Sequence, residues 1–313
     1  MATATPDRAA KPARSRSRRA LLWTEYRDGY LFILPWLIGF VIWVAIPMLA
    51  SAYIALTDWE IVTPARFVGL AEFGKLLADD RFYLSLYNTA YYVVLGVPTH
   101  VALALLSALA LNAGLRGIGI FRTLYYLPSV TPAVASAMLW AWLFNAEFGL
   151  FNMALQAVGL PGVLWLQDPA WSKPAFIIMS YWSLGAQMVI LLAGLQSVPQ
   201  HLYEAAAIDG CGRFNRFRHV TLPLLTPSLF FTIIVGFIGA FQVFTTAYIM
   251  TSGGPQNSTL FYVLYLYRMA FENFQMGYAS ALAWILFVVI LALTLLQFRL
   301  ANRWVFYEGE VRS

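Results

Sequence analysis

Charge is scarce in this chain. Only 11% of its 313 residues are Asp, Glu, Lys or Arg, where a soluble domain carries about a quarter. Apolar residues make up 60%, and the mean hydropathy is +0.67. One water-soluble core cannot hide that much apolar surface, so an ordinary soluble fold is excluded and lipid is the expected solvent. Several membrane spans fit into this length; a separate soluble catalytic domain hardly does. Cysteine is nearly absent: Cys211 stands alone, which excludes an intrachain disulfide and argues against a cysteine-built metal site. Histidine is almost as rare. No two of His100, His201 and His219 have the i, i+4 spacing of a helical zinc motif, so each reads as a packed or interfacial side chain rather than a metal ligand.

Long apolar runs are what the chain has instead. Residues 31–53, 89–111, 124–144, 174–195, 228–250 and 278–298 each approach the ~20 residues a helix needs to cross a bilayer. In lipid the backbone must satisfy its own polar groups, so these windows read as helices and the fold class as all-α, a polytopic membrane protein of about six spans. The expected organisation is a basic tail over 1–29, a membrane domain over 30–300 and a C-terminal tail over 301–313. The basic N-terminus resembles the start of a signal peptide. The apolar stretch that follows is too long for one and lacks a clear small-x-small cleavage site, so a retained first span is expected.

Orientation follows from the basic residues. With the N-terminus inside, the inner segments hold Arg8, Lys11, Arg14, Arg16, Arg18, Arg19, Arg27, Arg116, Arg122, Arg213, Arg216, Arg218, Arg299, Arg303 and Arg312. The outer segments hold only Arg66, Lys75, Arg81, Lys173 and Arg268. Fifteen against five predicts an N-in, C-in topology and accounts for the net charge of +5 without nucleic acid. The Arg-rich tail is expected to be disordered and drawn to anionic headgroups, making membrane lipid a partner. The outer loop over 57–87 mixes acids with Trp59, Phe67, Val68 and Phe73, a pattern of short interfacial helices. In the loop over 145–173, Trp165 and Trp171 are expected at headgroup depth. Pro98, Pro128 and Pro132 are expected to kink spans two and three.

The most informative stretch lies between spans four and five. Helix-forming sequence carrying Glu204, Ala205, Ala206 and Asp209 is broken by Gly210 and Gly212. A short segment with Phe214, Phe217 and Val220 follows, interleaved with Arg213, Arg216 and Arg218, and Pro223 and Pro227 are expected to stop it before span five. A compact helix-turn-helix of this kind can dock into a groove on a partner. The plainer reading is an interfacial linker whose arginines reach headgroups.

The spacing of this stretch resembles the E-A-A-x3-G-x9-I-x-L-P signature of permease subunits of binding-protein-dependent ABC importers. Glu204, Ala205, Ala206, Gly210, Leu222 and Pro223 match it, Asp209 fits its extended form, and Val220 stands where the family usually has Ile. Phe67-Val-Gly-Leu70, Phe121-Arg-Thr-Leu-Tyr-Tyr-Leu-Pro128, Met250-Thr-Ser-Gly-Gly-Pro255 and Met276-Gly-Tyr-Ala-Ser-Ala281 are similar to the carbohydrate-uptake branch, the maltose and glycerol-phosphate type. One departure is that Thr245 and Thr246 stand where many relatives have an Asp. The resemblance implies an inner-membrane subunit without ATPase activity or cofactor of its own. Its implied partners are a second permease subunit, two cytoplasmic ATPase subunits that bind ATP and Mg and receive a coupling helix at about 204–213, and an extracytoplasmic solute-binding protein.

Polar side chains inside spans are few: His100, Gln187 and Gln242, with Asn88 and Tyr278 nearer span ends. Amides and aromatic faces suit a sugar, so Tyr181, Trp182, Gln187 and Gln242 are candidates for the substrate path. Helix-helix hydrogen bonding is the alternative for each. The run from Gly69 to Lys75 has the spacing of a phosphate loop, but Leu76 replaces the required hydroxyl. A stand-alone secondary transporter is the rival reading; such proteins usually show inverted repeats and intramembrane ionisable groups, and only His100 answers here. An intramembrane enzyme lacks a metal cluster or a nucleophile-base pair.

Overall fold

A computed structural model describes residues 18–113 and 117–306. The basic tail with Arg8, Lys11, Arg14 and Arg16, and also Arg116 and Arg312, lie outside the described residues. The chain divides into a unit ending at Tyr53 and a unit from Ile54 onward.

The first unit is helical: α1 (Arg18–Phe40), a π turn (Val41–Ala45) and most of α2 (Ile46–Ile54). Apolar side chains point outward on all sides, Trp36, Phe32 and Trp43 among them. That is the pattern of a helix meant for lipid rather than for a one-sided core.

The second unit opens with a two-residue hairpin, β1 (Thr57–Asp58) antiparallel to β2 (Arg66–Phe67), with Thr57 opposite Phe67. Short α3 (Ala71–Leu77) follows, and the hairpin is the one departure from an all-helical reading of this loop. Long α4 (Asp80–Leu111) then runs as one continuous helix with Pro98 inside it. The third window does break. Helix α5 (Ile118–Tyr126) passes into a 3-10 turn (Leu127–Val130) before α6 (Ala133–Leu143). Pro132 forces the preceding Thr131 into an extended conformation (φ −71°, ψ 134°), which ends the helix.

Helix α7 (Leu150–Ala157) lies in the next loop. Its buried Asn152 accepts Trp165 Nε1 at 2.9 Å and Val163 N at 3.0 Å, so Trp165 is buried in a local core. Asp168 caps α8 (Pro169–Ser180), which bends by 51° through a 3-10 turn (Tyr181–Ser183) into α9 (Gly185–Gln196). A Cβ on Gly185 would overlap the carbonyl of Tyr125, so the breaks of windows three and four lie against each other.

Helices α10 (Gln200–Ile208) and α11 (Arg213–Arg216) form the loop before span five. A π turn (Phe217–Thr221) carries α11 straight into α12 (Leu222–Phe241). The expected stop at Pro223 and Pro227 is therefore not there. The π turn accommodates Pro223, which has no N–H to give, with Leu222 N donating to Phe217 O. The fifth window breaks instead at residues 242–244, ahead of α13 (Thr245–Met250). After α14 (Tyr262–Tyr267) and a third π turn (Arg268–Glu272), α15 (Met276–Trp304) completes the unit.

Four helices among the described residues are long and apolar enough to span a bilayer, or five if the bent α8–α9 pair is one span. Small residues let them approach, as expected where lipid gives no hydrophobic drive to pairing. A Cβ on Gly194 of α9 would lie 2.5 Å from Ser228 Oγ of α12, and one on Gly236 would lie 3.1 Å from Val97 of α4.

Polar bonds fasten the end of the second unit where α4 and α15 begin. Asn88 Nδ2 donates to Asn257 O (2.8 Å) and Leu260 O (3.2 Å), while Lys173 Nζ donates to Asn88 Oδ1 (3.0 Å). Asp79 caps α4 through Arg81 N (2.9 Å) and accepts the hydroxyls of Tyr265 and Tyr278. Burial pushes the Asp79 carboxyl up, but the two tyrosine hydroxyls and the Arg81 and Phe82 N–H groups outweigh it and hold it below its ordinary 3.8.

Asp79→Ala removes the cap and leaves two phenols without their acceptor, so it is expected to lower stability by about 2 kcal/mol in thermal unfolding of the purified protein. The folded carboxyl titrates lower than the unfolded one. The difference between wild type and variant should therefore be complete above pH ~4 and vanish as pH falls through the folded value.

Candidate functional site

The loop between α9 and α12 is built around one turn. Helix α10 ends in a Schellman motif: Cys211 N donates to Ala206 O (2.9 Å) and Gly210 N to Ala207 O (3.1 Å). This requires a left-handed residue after the C-cap, and Gly210 supplies it at φ +74°. Gly212 then caps α11, with Arg216 N bonded to Gly212 O (3.0 Å). Tyr203 Oη and Thr221 Oγ1, 3.0 Å apart, tie α10 back to the π turn.

This arrangement sorts the motif residues by face. Ala206 is buried, and Leu222 and Pro223 are half-buried where α12 begins. Glu204, Ala205, Asp209 and Gly210 are exposed. Beside them Ile208 is 88% exposed and Phe214 71% exposed, an apolar pair that this chain leaves uncovered. Arg213 and Arg218 are exposed as well, and among the described residues no ion pair involves Glu204, Asp209, Arg213, Arg216 or Arg218. A small, apolar and charged ridge is thus held out by a rigid turn.

A cavity of about 310 Å³ lies between α4, the α8–α9 bend and α12. Its polar wall comprises Tyr92, His100, Ser180, Ser183 and Gln187, and its opposite wall is the small-residue face of α12 at Gly236, Gly239 and Ala240. His100 Nε2 and Gln187 Oε1 are 3.2 Å apart. Of the four candidate path residues, Gln187 lines the cavity. Tyr181 stands beside it in the bend, donating to Thr99 Oγ1 at 3.0 Å. Trp182 packs instead edge-on to Trp140 (6.2 Å) and is 44% exposed. Gln242 is exposed at the break after α12. Neither Trp182 nor Gln242 is among the residues lining the cavity.

Sequence reasoning missed Ser180, Ser183 and Tyr92. The serines were legible in principle, as hydroxyls three residues apart flanking a Tyr-Trp pair. They bond backward, Ser180 Oγ to Ile177 O (2.6 Å) and Ser183 Oγ to Ser180 O (3.0 Å), stabilising the bend that opens the cavity. Hydroxyl, amide, imidazole and phenol groups facing a small apolar wall suit an uncharged polyhydroxylated molecule better than an ion. Among the described residues no group of His, Cys, Asp or Glu is placed to hold a metal.

Residues 100–305 match the family described as binding-protein-dependent transport system inner membrane component. The chain is 42% identical to the probable ABC transporter permease protein YesP of Bacillus subtilis, covering 90% of this chain and 93% of that one. It is 35% identical to the trehalose/maltose transport system permease protein MalF of Thermococcus litoralis, covering 90% and 96%. Its fold is similar to a chain in the crystal structure of a bacterial alginate ABC transporter in complex with an alginate pentasaccharide-bound periplasmic protein, with a TM-score of 0.80, 24% identity and coverage of 90% and 97%. On the family match and the relatives' near-complete coverage, the chain belongs to the binding-protein-dependent transport system inner membrane components, the permeases of ABC transporters.

Proposed function

We propose that this chain is one permease subunit of an ATP-driven importer for a sugar or sugar-like solute. The observation that carries the coupling half of this reading is the exposed ridge on α10, set by the left-handed turn at Gly210. On this reading the stretch from Glu204 to Arg213 is the coupling helix, with Glu204, Ala205, Ala206, Asp209, Gly210, Leu222 and Pro223 as its signature residues. ATP and Mg are bound by two partner ATPase subunits, a second permease subunit completes the path, and an extracytoplasmic binding protein delivers solute. Closure of the ATPase pair biases a two-state membrane domain through this helix.

The distribution of charge along the second unit supports the C-in half of a six-span, N-in and C-in arrangement. Arg299, Arg303 and the α10–α11 arginines share the end of the second unit where α12 begins and α15 finishes. Lys75, Arg81 and Arg268 share the opposite end with Asp58, Glu60, Glu72 and Asp79. The solute class rests on the cavity chemistry at His100, Ser180, Ser183 and Gln187 and on the trehalose/maltose permease among the relatives. Tyr181 is the aromatic neighbour of that path; Trp182 and Gln242 lie outside the cavity and would serve it only in another state.

Tagged chain from its native host, extracted in mild detergent, is expected to copurify with a second polytopic subunit and a Walker-motif ATPase; a chain that is active alone would overturn the reading. Gly210→Val forces a branched residue into a left-handed turn. The expected outcome is a membrane-inserted protein with wild-type expression, loss of the copurified ATPase and no uptake. Gln187→Ala should keep assembly but raise the solute concentration needed for half-maximal uptake about tenfold, the loss of one hydrogen bond of about 1.4 kcal/mol, read across a panel of mono- and disaccharides in ATP-loaded vesicles.

A further inference from the structure

Helix α12 begins with a backbone problem. Pro227 has no N–H, so the carbonyl of Pro223, four residues earlier, has no helical donor. Thr226 solves it: its Oγ1 donates to Pro223 O at 2.6 Å. The same oxygen accepts the backbone N–H of Phe306 at 2.9 Å. Thr226 is only 7% exposed, and both bonds are partly buried. One hydroxyl thus joins the root of α12, three residues past the Leu222-Pro223 end of the signature, to the backbone just beyond α15.

The joint has an apolar backing. Val305 (4% exposed) and Ala301 (5%) pack with Phe230 (6%), one turn along α12 from Thr226. Phe230 also meets Phe298 edge-on at 5.3 Å and Trp304 at 5.9 Å. Helix α15 ends at Trp304, and Val305 turns extended (φ −84°, ψ 128°), which aims the Phe306 N–H at the Thr226 hydroxyl.

We propose that Thr226 is a positioning residue for coupling: its hydroxyl clamps the end of α15 to the root of α12, so that displacement of α10 and α11 moves both helices together. This rests on the coupling reading above. Without the clamp, α12 would still receive the push through the continuous α11–π turn–α12 helix, but α15 would lag and the cavity would change access less per ATP hydrolysed. A hydroxyl is needed because one atom must donate and accept at once; valine has the shape and neither function, and serine has both.

The test uses the full complex in membrane vesicles, with Cys211→Ser as background and Val235→Cys, on the α12 side of the cavity, as reporter. Labelling of the reporter by a membrane-impermeant maleimide is compared without nucleotide and with ATP plus vanadate. ATP hydrolysis is measured in parallel. Phe306→Pro removes the N–H donor, with Phe306→Ala as the control for loss of the half-exposed ring, and the extended Val305 before it accepts a following proline. Thr226→Val removes both bonds, and Thr226→Ser restores both. Phe306→Pro and Thr226→Val are expected to shrink the ATP-dependent change in labelling about fivefold while the complex still hydrolyses ATP, with Thr226→Ser close to the parent. An unchanged response in Phe306→Pro, or a Thr226→Val complex that behaves like Thr226→Ser, overturns the proposal alone. If Thr226→Val fails to assemble, Phe306→Pro decides. A parent complex with no ATP response at all would overturn the coupling reading, and this proposal with it.

Discussion

Lipid offers no partner to a bare peptide group, and the second unit is organised around that constraint. Its helices are interrupted within or beside three of the apolar windows, and hydroxyl side chains take up carbonyls at the interruptions. Ser129 Oγ serves Tyr126 O (2.6 Å) in the third window, and Ser180 and Ser183 serve the bend in the fourth. Thr226 serves Pro223 at the start of the fifth. The loop after the fifth is held from outside, by Asn88 on Asn257 and Leu260 and by Thr89 Oγ1 accepting Tyr262 N at 2.9 Å. Irregular backbone is tolerated where protein, rather than lipid, completes it.

The same constraint places the cavity. Away from the bend α9 packs closely on α12, as the Gly194–Ser228 approach shows. The 51° bend pulls the wall away, and its serines, already needed to satisfy the bend, double as the polar lining. His100 and Gln187 meet across this space. A polar pair in lipid needs a mutual partner or a ligand, and in this state each has the other.

What could be read from the chain depended on how local the cause was. The turn at Gly210 was legible because a Schellman motif is written in consecutive residues and needs glycine at one of them. Long apolar windows gave the helices, although hydropathy averages over a break and cannot see that 124–144 is two helices or that 228–250 parts at Gln242. Pro132 carried that information for the third window, through its effect on Thr131. Pro223 and Pro227 misled, because a π turn and a threonine hydroxyl can carry a helix through prolines and neither leaves a periodic trace. The two-residue hairpin at Thr57–Phe67 is too short for alternation to register. Contacts such as His100 with Gln187 or Asp79 with Tyr278 join positions far apart in sequence, and no single-chain pattern encodes them.

The two ends of the second unit are fastened differently, and the difference bears on motion. At the Asp79 end, carboxylate, phenol, amide and ammonium groups cross-link α4, α8, α14, α15 and the loop at 251–261, and a Cβ on Gly277 would overlap Thr57 O, leaving no slack between hairpin and helix. At the other end α10 and α11 are held by the Tyr203–Thr221 pair and by their own turn, with Ile208 and Phe214 uncovered. A bundle that tilts must pivot where it is cross-linked and swing where it is not. One helix, kept continuous through two prolines, joins Phe214 of the exposed ridge to the α12 root, so on the coupling proposal a push there reaches α12 directly; α15 has no covalent path to that ridge shorter than the rest of the chain, and the Thr226–Phe306 joint links it through space.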